Sequence, residues 1–179
     1  MVIDNIVIRR AGLSDASILS ALASQTFYDT FTGTCSPADM DKFLLEYFNL
    51  AQVKKELSDP EDYFFIAFLK EDAIGYVRLK ADKSNVQMID SRNGIELKRL
   101  YVKKEYHSEG VGAALTEYTL NFARINKYDT IFLSVWEHNE RAKNFYKKFG
   151  FKNTGFSHPF PIGNTPQTDE WMIKDILIK

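Results

Sequence analysis

The sequence predicts an α/β fold in which a mixed β-sheet carries helices on both faces. Three strand-like segments follow one another between residues 63 and 102, and strands without an intervening helix pair antiparallel. Strands and helices then alternate, which favours parallel neighbours. The strongest strand-like segment, Ile95–Val102, leads to a glycine-containing turn that precedes an amphipathic helix.

Size and composition favour one domain over residues 1–179. The chain holds 23 basic and 24 acidic side chains, so its formal net charge of -1 gives no general attraction to nucleic acid or to an anionic membrane. The longest apolar run, Tyr63–Leu69, is far shorter than the roughly 20 residues of a membrane-spanning helix. The first residues lack the pattern of a signal peptide, so we expect a cytoplasmic protein. A single cysteine, Cys35, predicts neither an internal disulfide nor a metal site.

Local patterns assign the elements of the first half. A strand is predicted at Val7–Arg10, and Ser14 and Asp15 offer a cap for a helix whose apolar residues recur at helical spacing. Ser36 and Pro37 are typical of a helix start and predict a second helix. The other predicted elements are one further helical turn at Val53–Leu57 and a β-hairpin formed by Tyr63–Leu69 and Ala73–Leu79.

The second half begins with a polar stretch, Ala81–Asn93, before the strand Ile95–Val102. The helix that follows the glycine turn keeps its apolar residues on one face. The other predicted elements are a strand at Thr130–Val135, a helix at Asn139–Phe149 stopped by Gly150, and strands at Phe151–Gly155 and Trp171–Ile178.

The turn His107–Gly112 is a candidate phosphate site. It joins a strand to a helix, where free backbone N–H groups and the positive helix end favour an anion, and glycine lets the backbone approach phosphate oxygens closely. The turn alone is equally consistent with an ordinary helix start. A dinucleotide fingerprint is disfavoured because Leu115 stands where its third glycine belongs. A nucleoside-triphosphate loop would require a Gly-Lys-Ser/Thr ending, which this segment lacks.

Two segments together resemble the GNAT superfamily of acetyltransferases. The turn His107–Gly112 is similar to the family signature Gln/Arg-x-x-Gly-x-Gly/Ala, and Asn139–Phe151 is similar to a later motif in which Asn, Ala, Phe-Tyr and Gly-Phe recur at the same spacings. The resemblance implies a sheet of about seven strands, with acetyl-coenzyme A as co-substrate between splayed fourth and fifth strands. It also implies an enzyme that needs no metal.

The resemblance assigns a set of residues to the cofactor. His107 departs from the usual Gln/Arg and Glu109 adds an acid beside the expected pyrophosphate, which weakens binding unless Lys103, Lys104 or Lys148 offsets the repulsion. Asn139 is also explained as a helix cap. The assigned residues are Leu100, Tyr101, Val102, His107, Ser108, Glu109, Gly110, Val111, Gly112, Ala113, Asn139 and Lys148.

Acetyl transfer from a thioester to an amine requires a proton acceptor for the amine and a proton donor for the thiolate. Glu96 is the candidate acceptor, because it lies six residues before Val102, the offset of a glutamate in histone-acetylating members of the family. Tyr146, in the Phe-Tyr pair of the later motif, is the candidate donor. The alternatives are an exposed strand glutamate and a core tyrosine. His138 and His158 fall in neither motif and are weaker candidates for a base.

A finer resemblance is to PaiA-type enzymes, which acetylate spermidine and spermine. It implies a small-molecule primary amine as acceptor and carboxylates that bind its ammonium groups, for which Asp29, Glu137 and Asp169 join Glu96 as candidates. The loop Ser157–Gly163 is expected to shape the acceptor entrance, and a homodimer is expected. Two alternatives stay open, namely acetylation of a protein N-terminus or lysine, and a coenzyme A-binding regulator without activity. The similar segments are Thr26–Phe31, Ser36–Pro37, Gly75–Val77, Val135–Glu137 and Gln167–Asp169.

Overall fold

The computed structural model describes residues 5–81 and 92–176. Ten of the residues in the predicted polar stretch, 82–91, and the end of the predicted last strand therefore lie outside the described residues. The helices are α1 (Ala16–Phe31), α2 (Pro37–Tyr47), α3 (Leu50–Ser58), α4 (Val111–Ile125) and α5 (Glu140–Lys148). The strands are β1 (Ile6–Arg10), β2 (Asp62–Leu69), β3 (Asp72–Lys80), β4 (Gly94–Val102), β5 (Thr130–Trp136), β6 (Lys152–Pro159) and β7 (Thr168–Asp175).

The strands of the described residues form one seven-stranded sheet in the order β1-β2-β3-β4-β5-β7-β6. Neighbours from β1 to β4 pair antiparallel, β4 and β5 pair parallel, and β7 lies antiparallel between β5 and β6. The predicted mixed sheet is thus confirmed. The parallel pairing is short, since it joins only Gly94–Glu96 to Thr130–Phe132 although both strands continue for several residues. The predicted splaying of the fourth and fifth strands is therefore present.

Alternating side chains of the sheet pack into two hydrophobic cores, one on each face. In β2, Phe64 and Ile66 pack with α1, α2 and α3, whereas Phe65 and Ala67 pack with α4 on the opposite face. This alternation follows from the two-residue period of a strand. Helices cover both faces, as predicted, and the two cores fix the sheet from either side of the point where β4 and β5 separate.

Three elements differ from the sequence prediction. The last strand, predicted to begin at Trp171, begins three residues earlier, at Thr168. The turn predicted at Val53–Leu57 is the middle of a full helix, α3, which Asn49 caps by accepting a hydrogen bond from Gln52 N at 2.9 Å. The strand predicted to end at Gly155 continues to Pro159, because the pairing with β7 resumes after an irregularity between Asn153 and Ser157. Gly155, with φ of +80°, marks this irregularity and not the end of the strand. No helix in residues 5–81 and 92–176 is long and apolar enough to cross a membrane.

Candidate active site

A cavity of about 550 Å³ opens where β4 and β5 separate. Glu96 is the last residue of β4 that pairs with β5. Beyond it, Lys98 is an extra residue in β4, because Arg78 pairs with Arg99 while Leu79 pairs with Leu97. A bulge of this kind bends a strand and re-aims its side chains. The fork between the strands and the bulge together expose one edge of β4 to the cavity.

Aromatic side chains form one wall of the cavity. Phe27 and Phe31 of α1 stack at 4.5 Å between ring centroids, and Trp136 at the end of β5 lies 5.9 Å from Phe31. Phe43 of α2 meets Phe160 of the loop after β6 edge-on at 5.8 Å. These rings bring α1, α2 and the loop together over the sheet, so the cavity is walled on the side away from α4.

Two buried carboxylates, both predicted site residues, line the cavity. Glu96 is 7% exposed, and Lys98 Nζ donates to its Oε1 at 3.1 Å. Asp169 of β7 is also 7% exposed, and Ser134 Oγ donates to its Oδ2 at 3.1 Å. Asp169 Oδ1 is buried and has no hydrogen-bond partner among the described residues. Burial raises the pKa of Asp169, because the charged form loses hydration.

His158 lies directly opposite Asp169 in the pairing of β6 with β7 and also lines the cavity. Its Nδ1 is 3.0 Å from the carbonyl oxygen of Pro159, and its ring packs on Trp171 with centroids 4.7 Å apart. A carbonyl only accepts, so this contact assigns the proton of the neutral ring to Nδ1. The other nitrogen, Nε2, is buried, and the part of the chain that the structure describes offers it no hydrogen-bond partner.

Tyr146, the predicted proton donor, lies in α5 and lines the cavity. It is 8% exposed and is held edge-on by the rings of Phe145 and Phe151. Burial raises the pKa of Tyr146, since the phenolate would lose its hydration. The hydroxyl group therefore stays protonated at neutral pH, which is the state that a proton donor requires.

The glycine turn presents backbone N–H groups at the start of α4. Gly110 precedes the helix with φ of +88°, and Ser108 is left-handed as well with φ of +69°. The first helical hydrogen bond runs from Ala114 N to Gly110 O at 2.9 Å. The N–H groups of Val111, Gly112 and Ala113 thus have no partner within the helix, and no side chain caps it. This arrangement fits the phosphates of the expected cofactor.

His107 fastens the turn to two other elements. Its Nε2 is 2.9 Å from Val102 O at the end of β4, and Arg141 Nη1 of α5 is 2.9 Å from its Nδ1. Arginine only donates and a carbonyl only accepts, so both contacts are satisfied by the neutral ring protonated at Nε2. His107 thereby brings a guanidinium to the turn that holds Glu109. The sequence singled out the departure at His107 but missed Arg141.

The other predicted site residues divide between the cavity and the surface. Asn139 caps α5 by accepting from Ala142 N at 3.0 Å and lines the cavity as well. Lys103 is paired with Asp72 at 2.6 Å, and Lys148 is exposed in the last turn of α5, two turns away from Arg141.

Leu100 and Tyr101 line the cavity, whereas Asp29 and Glu137 do not. Asp29 accepts from Gln25 Nε2, and Glu137 lies 3.8 Å from His138.

A network of arginines and carboxylates lies beside the cavity, where α3 meets β3 and β4. Glu56 of α3 binds Arg78 at 2.6 Å and Arg99 at 2.8 Å, and Arg78 also binds Asp62 at 2.8 Å. Sequence reasoning missed these residues because they lie 43 positions apart at the extremes and belong to no motif. Their charges neutralise one another, so Glu56 is committed to arginine while Glu96 and Asp169 remain directed at the cavity.

Known proteins share both the sequence pattern and the fold. Residues 23–151 match the model of the Acetyltransferase (GNAT) family. An uncharacterized N-acetyltransferase in the pepI 3' region of Lactobacillus delbrueckii subsp. lactis is 36% identical over 159 residues, which cover 88% of this chain and 90% of that protein. An uncharacterized N-acetyltransferase of Mycobacterium tuberculosis is 28% identical over 165 residues, 92% of this chain and 100% of that protein.

The fold is similar to the crystal structure of the PaiA N-acetyltransferase from Thermoplasma acidophilum in complex with coenzyme A. The TM-score is 0.77 at 23% identity, with 96% of this chain and 99% of that chain covered. This likeness in fold agrees with the forked sheet. The family match and the forked sheet lead to one conclusion, that this chain belongs to the GNAT family and is an acetyl-coenzyme A-dependent N-acetyltransferase.

Proposed function

We propose that the enzyme acetylates a primary amine of a small molecule, with polyamines such as spermidine and spermine as the first candidates. The observation that carries this proposal is the pair of buried carboxylates in the wall of the cavity. Glu96 and Asp169 are both buried there, and Asp169 Oδ1 lacks a donor anywhere in residues 5–81 and 92–176. An ammonium group supplies positive charge and three N–H donors, so it can donate to the unpartnered Asp169 Oδ1 and also to Glu96, whose Oε1 already accepts from Lys98.

The closed side of the cavity supports a small acceptor over a peptide. Asp39 of α2 accepts hydrogen bonds from Asn164 N at 3.0 Å and from Thr165 Oγ1 at 3.1 Å, which fastens the loop after β6 to α2. Phe43 and Phe160 close the same seam. An extended peptide would require this seam to open, whereas a polyamine is thin and flexible. The aromatic rings of the wall also favour cations by their negative faces.

The residues divide the chemistry as follows. Asp169 and Glu96 bind the ammonium group, and Glu96 accepts its first proton, directly or through water. At the open edge of β4, the N–H group of Leu100 faces the cavity side and is offered to the thioester oxygen or to an amide of the cofactor arm, whereas the N–H group of Tyr101 points toward β3. Tyr146 donates its proton to the departing thiolate, and burial keeps its hydroxyl group protonated until that charge develops beside it.

The first experiment measures coenzyme A release from acetyl-coenzyme A against spermidine, spermine, aminoglycosides, amino acids and a lysine peptide. We expect rapid release with the polyamines. n-Octylamine is the matched control, because it has comparable length but no second ammonium group, and it should have a higher KM. Preferred turnover of the lysine peptide would favour a protein acceptor. If no compound of the panel causes coenzyme A release while calorimetry still shows cofactor binding, the small-amine proposal is overturned.

A further inference from the structure

His158 has the arrangement of a proton acceptor that the reaction described so far does not use. The Nδ1 contact with Pro159 O leaves the Nε2 lone pair unprotonated, and this lone pair is buried beside the cavity. Because a buried polar atom without a partner costs free energy, such an atom in a folded enzyme calls for a specific explanation. A ligand that donates a hydrogen bond there provides one.

Asp169 Oδ1 presents the same requirement on the adjacent strand. His158 and Asp169 face each other across β6 and β7, and each keeps one buried acceptor for which the described residues supply no donor. Two neighbouring acceptors need a ligand with at least two donors. A primary ammonium group has three, so it can bind Asp169 and His158 simultaneously.

Counting protons shows why a second acceptor is needed. The acceptor nitrogen enters as an ammonium and leaves as an amide N–H, so it gives up two protons while the N–C bond forms and the C–S bond breaks. One proton is equivalent to the one that the thiolate gains through Tyr146, and the other is released to solvent. Glu96 receives the proton that is lost before attack, which leaves the proton lost after attack without a named acceptor.

We propose that His158 Nε2 accepts this second proton from the attacked nitrogen and that Asp169 stabilises the imidazolium that results. This inference rests on the proposed amine acceptor. Imidazole is suited to the step, because its protonation changes between about pH 5 and 8 and it can pass the proton on in each turnover. The groups whose charges act on Asp169 are His158, Glu137 and Lys98, and Glu96 faces the same cavity.

The first test reads the tautomer and needs no acceptor. The chain has three histidines, so ¹⁵N-histidine labelling with one His→Asn variant per residue assigns every ring by NMR. We expect His158 to be neutral with its proton on Nδ1 at pH 8, and its Nε2 resonance to move when spermidine is added. A proton on Nε2 in the free enzyme would overturn the proposal. An Nε2 chemical shift that does not change at saturating spermidine would overturn it as well.

The second test compares His158→Asn with His138→Asn in the complete enzyme. Asparagine keeps a donor in the place of Nδ1 but has no base in the place of Nε2, and His138 is an exposed histidine that does not line the cavity. We expect His158→Asn to lower kcat roughly 100-fold with the cofactor Kd unchanged, as removal of a proton-transfer group typically does, and His138→Asn to have no such effect. Added imidazole should restore part of the activity of His158→Ala.

The pH profile separates a chemical role from a structural one. In the wild type, kcat should fall toward acid as the imidazole becomes protonated, and His158→Asn should lose this limb of the profile. An equal kcat in both asparagine variants, or a His158→Asn enzyme that retains the limb, would overturn the proposal. If the wild type turns over no amine at all, the proposed function fails, while the NMR tautomer still decides the state of His158.

Discussion

Arg141 Nη1 donates a hydrogen bond to His107 Nδ1 at 2.9 Å, and this contact places a guanidinium of α5 beside the turn that begins α4. The turn carries Glu109, whose charge opposes the phosphates of acetyl-coenzyme A. We expect Arg141→Ala to raise the Kd for coenzyme A about tenfold or more, because a charge-assisted hydrogen bond to phosphate is lost. Titration calorimetry measures this without any acceptor.

Two controls isolate the phosphate contact. Arg124→Ala removes the same charge from the last turn of α4, at the far end of the helix, and should leave the Kd nearly unchanged. S-Acetylpantetheine lacks the phosphates, so wild type and Arg141→Ala should use it equally. Equal affinity of coenzyme A for Arg141→Ala and Arg124→Ala would show that Arg141 does not reach the cofactor.

Tyr146→Phe removes one hydroxyl group from a buried ring and keeps the packing against Phe145 and Phe151. We expect kcat to fall about 100-fold because the thiolate loses its proton donor, with the coenzyme A Kd and the melting temperature little changed. Steady-state kinetics on the best amine of the panel gives the answer. A variant with full kcat would assign Tyr146 to the core alone.

Glu96→Gln and Glu137→Gln make a matched pair, since both remove one carboxylate charge near the fork but only Glu96 lines the cavity. We expect Glu96→Gln to lower kcat/KM for the amine by about tenfold or more, because the ammonium loses a charge partner and its first proton acceptor. Glu137→Gln should change it less than twofold. The reverse order would move the amine site from the fork to the end of β5.

The sequence predicted those parts of the site that lie within one motif or on one element. Tyr146 and Asn139 line the cavity because the helix that carries them begins at the predicted cap. Gly110 and Gly112 lie at the start of α4, where the sequence predicted a helix start, since a strand, a turn and a helix in succession fix the direction of the free N–H groups. The alternation of elements along the chain predicted the mixed sheet and the parallel pairing of β4 with β5, but not the antiparallel insertion of β7 between β5 and β6.

Contacts between distant segments were not predictable in this way. Arg141 reaches His107 from 34 positions away, and its place within the later motif gave no sign of that partner. His158 is a weak candidate from the sequence because no motif contains it, and its buried, unpartnered lone pair depends on a strand that continues beyond Gly155. Of the four carboxylates expected to converge, only Glu96 and Asp169 line the cavity, because this outcome depends on the direction of each side chain and not on its position in the chain.

Asp169→Asn should separate stability from binding. Burial raises the pKa of Asp169 in the folded state, so its favourable contribution is fully present below the unfolded pKa and is lost as the pH rises through the folded pKa. Asparagine does not titrate. We therefore expect the melting temperature of the variant, relative to wild type, to increase from pH 4 to pH 8, while the KM for the amine rises about tenfold. A stability difference that is constant with pH would contradict a buried, ionised Asp169 at neutral pH.

Gly75 of β3 lies close against the end of β4. A Cβ atom there would lie 2.9 Å from Tyr101 O, 3.2 Å from Leu115 Cδ1 and 3.3 Å from Val102 Cγ2. The first of these is a backbone atom, so β4 itself has to move. We expect Gly75→Ala to lower the free energy of unfolding by about 1–3 kcal/mol, the usual cost of overpacking. Because Val102 O anchors His107, coenzyme A should also bind more weakly.

Gly12→Ala is the matched control, since nothing lies within 4 Å of its added methyl group. Chemical denaturation and calorimetry on both variants measure the two effects. A Gly75→Ala protein that is destabilised but binds coenzyme A normally would show that β4 yields without displacing the turn.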